Sequence, residues 1–457
     1  MAQEKWGLQQ CVTYAMKNNV SVKQSDVQAR ISAITAKQSR STVLPTLSGN
    51  VNGSYQHGLT TNPTTNILQS ASFISGNMNL QASYNIFNWN ARKNTIAANN
   101  LALKADEIGI DRARNDVALI VANAFLQVML RREQARISEV QMNQSRSQLS
   151  NTQKLVNAGS QPELNAIQLE AQLAKDSAAV LQANALVEEA MINLKANMNY
   201  DFALPFDIQT PSVDEIPIQK ITDVQPEAVY QLALQAQPLQ KMYKVRIEAA
   251  QKQVKAARGY MYPAFGAFSG MSTRVINEQK PVYGVLPAQL DGSYVKVNGT
   301  QYPVYSPSFG VVSYTGTPFF RQLNQNFGQD VGVGINFSIF NNFTSRAQWQ
   351  KAKVNVVQLQ LQEEQDNLTL RTNIYNAYHD AFSSYQKYQA SQRTVAYSQR
   401  ALDISKKRFD IGLLGTLDYI ITQNNFYLAQ IDEVSNHYDF VFKMKVLEFY
   451  KGQGIKL

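Results

Sequence analysis

Cysteine occurs once in the 457 residues, which excludes a disulfide framework and any thiolate metal cluster. Histidine occurs three times, at His57, His379 and His437, without ligand spacing, so a zinc site or a nucleophile–histidine pair lacks its parts. His379 and His437 read as helix-surface residues. No phosphate-cradling or dinucleotide-binding glycine motif occurs. No catalytic residue, cofactor or metal is therefore expected. Glycine (22) and proline (14) together make about 8% of the chain, against a usual share of about 12%, so the regular elements should be unusually long. No run approaches the ~18 apolar residues of a spanning helix, which argues against a helical membrane protein. Charged residues are 17% and hydrophobic residues 44%, ample for a core and against wholesale disorder. The net charge of +9 is dispersed along amphipathic helices with no basic–aromatic module, so nucleic acid is not an expected partner.

The first residues, Met1-Ala2-Gln3-Glu4, lead into a helical pattern without a basic or apolar leader. That suits a cytosolic chain, or a mature one whose signal peptide has been removed. Cys11 reads as a small buried apolar residue rather than a lipid anchor, because Gln10 precedes it where a small residue would be needed.

What is present is ordered by its breakers. No proline lies between Pro63 and Pro162, and none follows Pro318, whereas Pro205, Pro211, Pro217 and Pro226 crowd one segment that reads as a linker. Leu103, Ile110, Val117 and Ala124 recur every seven residues, a coiled-coil spacing within a predicted helix over 92–156, roughly 95 Å long. The two halves also repeat each other. An offset of 218 carries Ala15, Arg40 and Pro45 onto Ala233, Arg258 and Pro263. An offset of 253 carries Ile86-Phe87-Asn88 onto Ile339-Phe340-Asn341, Gly159 onto Gly412 and Leu164 onto Leu417. The change of offset places a 35-residue insertion in the second half. The boundaries expected are a first repeat at 1–204, with a helix, strands at about 46–56 and 77–87 and a helical hairpin at about 91–199. The linker follows at 205–226. The second repeat, 227–457, has a helix, strands at about 264–273 and 330–340 around an inserted loop 274–328, and a hairpin at about 344–451.

Between proline and long helix the period switches to two. Leu47 to Tyr55, Met78 to Ile86 and Val331 to Ile339 alternate, while Ala264 to Thr273 is blurred by Gly266 and Gly270. Gly332 and Gly334 inside a strand read as tight packing or as lumen room. Such alternation over ~9–11 residues suits a membrane strand with one face in lipid and the other wet, and also a half-buried soluble sheet. Four strands cannot close a barrel, and an open edge in lipid leaves backbone groups unpaired. Two chains would give 8 strands and a filled interior; three would give 12 and room for a pore. Phe87, Trp89, Phe340 and Phe343 fall where strand becomes helix, which suits an interfacial aromatic belt or a packing cluster. In the insertion, Val295 to Tyr302 reads as a hairpin turning at Asn298-Gly299. The insertion would lie outside the cell as a partial lid.

Two hairpin tips remain: Lys154-Leu155-Val156-Asn157-Ala158-Gly159-Ser160, and Lys407-Arg408-Phe409-Asp410-Ile411-Gly412-Leu413-Leu414 followed by Thr416-Leu417-Asp418. With the duplicated helix–strand–strand–long-helix order, Pro45 and Pro263 before strands, and Lys445 to Gly452 at the end, the whole chain resembles the TolC family of outer-membrane exit ducts. That resemblance implies an α+β membrane protein with internal duplication: a homotrimer whose 12-stranded outer-membrane β-barrel, four strands per chain, continues as a long periplasmic α-helical barrel. It implies a Gram-negative outer-membrane location and passive export of drugs or other substrates. The partners implied are outer-membrane lipid, a periplasmic adaptor and, through it, an inner-membrane pump. It also implies that Gly159, Ser160, Phe409, Gly412 and Leu413 dock the adaptor, and that Asp418 lines the pore entrance. Asp418 equally suits the first turn of a helix. The family's second acidic position is Ile421 here and an arginine position is Leu414, so any gate has a different bond network. The reading from another class is a soluble coiled-coil scaffold or tethering protein with a small sheet.

Overall fold

The computed structural model describes residues 5–61, 68–210, 213, 216, 219–277 and 279–452. Residues 1–4, Pro63, and Pro211 and Pro217 of the expected linker lie outside them. The chain forms two compact units, one of Gln38–Thr95 and Val254–Gln350, the other of Met1–Lys37, Ile96–Gln253 and Lys351–Leu457.

The first unit is built on a four-stranded antiparallel sheet in the order β1-β2-β3-β8: β1 (Thr46–Thr61), β2 (Leu68–Phe87), β3 (Ala264–Ile276) and β8 (Gly328–Asn336). Leu47 pairs with Ala82, Val51 with Met78, Met271 with Leu80 and Val333 with Ala267. One register thus gathers Leu47, Val51, Tyr55, Met78, Leu80, Met271, Val331, Val333 and Ile335 on one face. The opposite face carries Ser48, Asn50, Asn52, Asn77, Asn79, Gln81 and Ser83. Among the described residues nothing covers the apolar face: Val331 is 85% exposed and Val51 72%.

Strand lengths depart from the sequence expectation. β1 and β2 run well past 56 and start well before 77, because each satisfies the other's ladder beyond the last β2–β3 pair, Ser75 with Ile276. Strict alternation fades there, so the pattern gave no signal. β8 stops at Asn336 rather than 340, since its partner β3 begins at Ala264 directly after Pro263 and offers nothing further to pair with.

The insertion is largely regular. β4 (Gln279–Val285) pairs with β7 (Phe309–Gly316), and between them β5 (Gln289–Val297) pairs with β6 (Thr300–Ser306). Asn298 (φ 51°) and Gly299 (φ 84°) make the turn between β5 and β6, with the paired positive angles that suit a two-residue hairpin. A short helix, α7 (Phe319–Gln325), then caps the β3 edge where β8 has ended. The Gln322 carboxamide accepts from the Ile276 N–H (2.7 Å) and donates to the Ile276 carbonyl (2.8 Å), and Asn326 donates to the Arg274 carbonyl (2.7 Å). Side-chain amides thereby replace a strand.

The helices follow the duplication element by element. α1 (Leu8–Asn18) and α2 (Val20–Ser41) recur 218 residues on as α5 (Pro226–Ala236) and α6 (Pro238–Gly259). α3 (Ala91–Asn157) recurs 253 residues on as α8 (Thr344–Asp410), and α4 (Glu163–Met198) is matched by α9 (Thr416–Tyr450). Each repeat therefore opens with two helices where one was expected, and the break has a different cause in each. Asn19 takes an extended backbone and its side chain accepts from the Ser21 N–H at 2.8 Å. In the second repeat, Pro238 pushes Gln237 out of the helical region.

At 67 residues, α3 and α8 are each about 100 Å long. Val117, Val121, Phe125, Val128 and Met129 of α3 bury against Leu8, Cys11, Val12 and Ala15 of α1, Leu194 and Met198 of α4 and Val441 of α9. Ile110 and Ala124 of the heptad pack half-buried on the same core. This stretch makes α3 long and apolar enough, by length and composition, to cross a membrane, contrary to the sequence expectation. Its apolar side chains are those that build this core. A second core joins Val229 and Ala233 of α5 to Leu370, Ile374, Phe440, Met444 and Leu447.

Phe125 is fully buried, and its repeat counterpart Tyr378 is only partly so. Phe125→Ala should cost about 3–5 kcal/mol and Tyr378→Ala clearly less, read from denaturant midpoints followed by circular dichroism.

Candidate functional site

The two tips are closed by one device. Gly159 (φ 69°) and Gly412 (φ 77°) take the left-handed conformation just past a helix end. The Gly159 N–H donates to Val156 and the Ser160 N–H to Leu155, both at 2.9 Å; the Gly412 N–H donates to Phe409 (3.0 Å) and the Leu413 N–H to Arg408 (2.8 Å). These bonds satisfy carbonyls that the helix end leaves free, the pattern of a Schellman cap. The Ser160 hydroxyl adds a bond to the Leu155 carbonyl at 2.9 Å.

The predicted tip residues do not share one environment. Gly159, Ser160 and Gly412 are exposed, and Leu413 is 66% exposed beside exposed Ile411 and Leu417. Phe409, expected on the docking surface, is only 3% exposed and stacks on Tyr419 at 4.8 Å, so it supports the tip from inside. Asp418 is exposed in the first turn of α9, where a negative charge suits the helix dipole. Ile421 is exposed one turn on, and Leu414 packs on the Leu402–Phe409–Tyr419–Phe426 cluster.

The strand–helix joints carry the aromatic residues. Trp89 and Asn90 (φ 54° and 60°) and, 253 residues on, Asn342 and Phe343 (φ 51° and 64°) turn the chain through left-handed backbone, uncommon for non-glycine residues. At the first joint the Trp89 indole donates to the Pro263 carbonyl at 2.9 Å, and a Cβ on Gly259 would stand 3.0 Å from the Trp89 carbonyl, so only glycine fits there. Phe87 lies 5.4 Å from Trp89 and 6.2 Å from Phe265, and Trp89 lies 5.1 Å from Tyr262. Phe87, Trp89, Phe340 and Phe343 all keep large exposed surfaces. The first joint is at once a packing cluster and a group of exposed aromatics. Exposed Tyr260, Tyr262 and Phe337 extend the group and were missed, although Tyr260-Met261-Tyr262 directly precedes Pro263.

A polar interior in the first hairpin also escaped the sequence reading. Ser138, Gln141, Ser145, Gln148 and Thr152 are all buried at alternating spacings of three and four on α3. Ser145 and Gln172 donate to the buried Asp176 carboxylate (2.6 and 2.8 Å), Gln172 reaches Asn424 of α9 at 3.1 Å, and Ser138 and Tyr427 share a bond at 2.9 Å. The signal was the seam spacing, carried by polar residues instead of apolar ones.

His379 is exposed, as expected, but His437 is buried and stacked 4.1 Å from Tyr388, correcting its surface placement. Cys11 is fully buried, and burial pushes its thiol up to about 12.

Among the described residues the sheet thus has one bare apolar face and two edge strands, β1 and β8, without an outer partner strand, and it is joined in sequence to long capped hairpins. The sequence profile of the outer membrane efflux protein family matches residues 12–199 and 317–443. The chain belongs to that family, a family of transport channels, and serves as an exit duct in the outer membrane. It is similar in structure to CusC (16% identity, 99% of this chain and 95% of that one, TM-score 0.76). It is similar also to the Campylobacter jejuni CmeC outer membrane channel (17%, 98% and 86%, TM-score 0.75) and the open state of the Neisseria gonorrhoeae MtrE outer membrane channel (18%, 98% and 88%, TM-score 0.71). No curated protein matches it in sequence.

The Cys11 thiol should resist maleimide at pH 8, where only about 1 in 10,000 molecules carries the thiolate, and should label fully in denaturant. Its contribution to stability is complete below its ordinary 9.0 and is lost as pH rises from there towards 12.

Proposed function

We propose that three copies close β8 of each chain against β1 of the next, giving 12 strands around an open pore. The observation that carries this is the pair of free edges on a sheet whose apolar face is bare. In lipid each unpaired backbone group costs several kcal/mol, so the edges demand partners. Twelve strands leave a lumen where eight would be filled by side chains.

The duct conducts drugs or other exported substrates passively, with no bond made or broken. An inner-membrane pump supplies the energy and reaches the duct through a periplasmic adaptor. The adaptor seats on the exposed caps at Gly159, Ser160, Gly412 and Leu413, with Ile411 adding apolar surface, while Phe409 holds the second cap in shape. Asp418, repeated three times about the axis, draws cations to the entrance. Phe87, Trp89, Phe340 and Phe343 form the interfacial belt facing the periplasm, and the 279–316 hairpin lies at the outer mouth. Delivery to this membrane implies a signal peptide removed on export.

Light scattering of the detergent-purified protein, corrected for bound detergent, should give three times 51.2 kDa. A species soluble without detergent, with one or two copies, would replace the duct with a coiled-coil scaffold. Gly412→Trp should abolish drug export in cells while the trimer stays assembled; transport at the wild-type rate would remove the docking role of the cap.

A further inference from the structure

On the polar face of the sheet two hollows of about 430 and 410 Å³ adjoin, sharing Asn85, Ala264 and Asn336 in their walls. The floor is backbone, because Gly266 and Gly334 sit opposite each other across β3 and β8. Phe268 closes one end. It is the large apolar side chain among Gly270, Ser272 and Arg274 on that face of β3, is 42% exposed, and belongs to none of the buried cores. Its ring lies over Gly332, where a Cβ would come within 2.6 Å of the ring tip. Arg346 stands at the other end and is, among the described residues, the only charged one lining either hollow. Among the described residues no carboxylate pairs with Arg346; its guanidinium rests over the Phe343 ring at 5.6 Å. Beyond Phe268, Asp330 stands across from Gly270 on the same face.

We infer that this groove is a binding station for aryl acids in the inner wall of the duct, an assignment that rests on reading the polar face as the lumen. An aromatic ring entering over the glycine floor meets the free face of Phe268 in offset or edge contact. The acid end turns towards Arg346, which offers charge-assisted hydrogen bonds, and away from Asp330, which repels it. Asn85 and Asn336, midway, present amides to polar substituents. Glycine at 332 and 334 is required because any side chain there would fill the space that the Phe268 ring and its guest occupy. Three chains place three such stations around one lumen, so a moving aryl acid is held briefly on the wall instead of returning to the bulk.

The test is single-channel recording in planar bilayers of the purified trimer with 1-naphthoate as probe. Wild-type current should be blocked in a concentration-dependent way. Phe268→Ala and the volume-keeping Phe268→Leu should raise the half-blocking concentration about three- to tenfold, and Arg346→Gln about tenfold, each read relative to that variant's own conductance in probe-free buffer. Neutral 1-naphthamide should feel the Phe268 changes and not the Arg346 change, and 1-naphthylmethylammonium should block poorly. Equal half-blocking concentrations for wild type and all three variants would overturn the station while leaving the duct intact. Absence of conductance in wild type would remove the duct reading, and the station with it.

Discussion

The structure depends on one demand, that every backbone N–H and C=O out of reach of water must find a partner. Within the chain the demand is met in unequal ways. β1 pairs with β2 over its whole length. β3 is served by β2 on one side and by β8 on the other, and past the end of β8 the side chains of Gln322 and Asn326 take over the strand's role. Among the described residues of the four-stranded sheet, the outer edges of β1 and β8 are left over along their whole length. An apolar sheet face with open edges cannot persist as a monomer in a bilayer, and that is the ground on which the trimer is proposed.

The helical unit answers a different problem, how to keep long helices parallel with few loops. Two glycine caps reverse the chain, each with open space where a Cβ would stand, and the apolar bands of α1, α3, α4 and α9 fasten the hairpins at one level. Farther along the hairpins the two repeats part company. Past Ser138 the first is held by hydroxyls, carboxamides and Asp176 beside Ala166 and Leu169; past Ser391 the second is held chiefly by Leu402, Phe409, Tyr419 and Phe426, with Gln423 buried among them. Duplication preserved the element boundaries and let the interiors diverge.

Much of this was legible in the sequence because it rests on local rules. The offsets of 218 and 253, the prolines before β1 and β3, the two tip glycines and the Asn298-Gly299 turn each encode a backbone requirement that few residues meet. The features that were not legible depend on partners distant in sequence. Phe409 looked like surface because its partner Tyr419 lies across a turn, and His437 because Tyr388 lies on another helix. The extension of β1 and β2 is written in mutual pairing instead of alternation, and the polar seam of α3 carries a core spacing in residues that ordinarily mark a solvated face. The apolar stretch of α3 that composition could assign to a bilayer is spent on packing against α1, α4 and α9.

The unequal interiors of the two hairpins have a mechanical consequence. A seam that holds spare polar groups, here Gln141 Nε2 and Thr152 Oγ1, can exchange one hydrogen bond for another as it shifts. Interlocked aromatic and aliphatic side chains resist sliding, because any shift opens voids. Each chain therefore carries a compliant strut beside a stiff one of nearly the same length. Load applied at the tips would be taken up as shear in the first hairpin while the second keeps its shape.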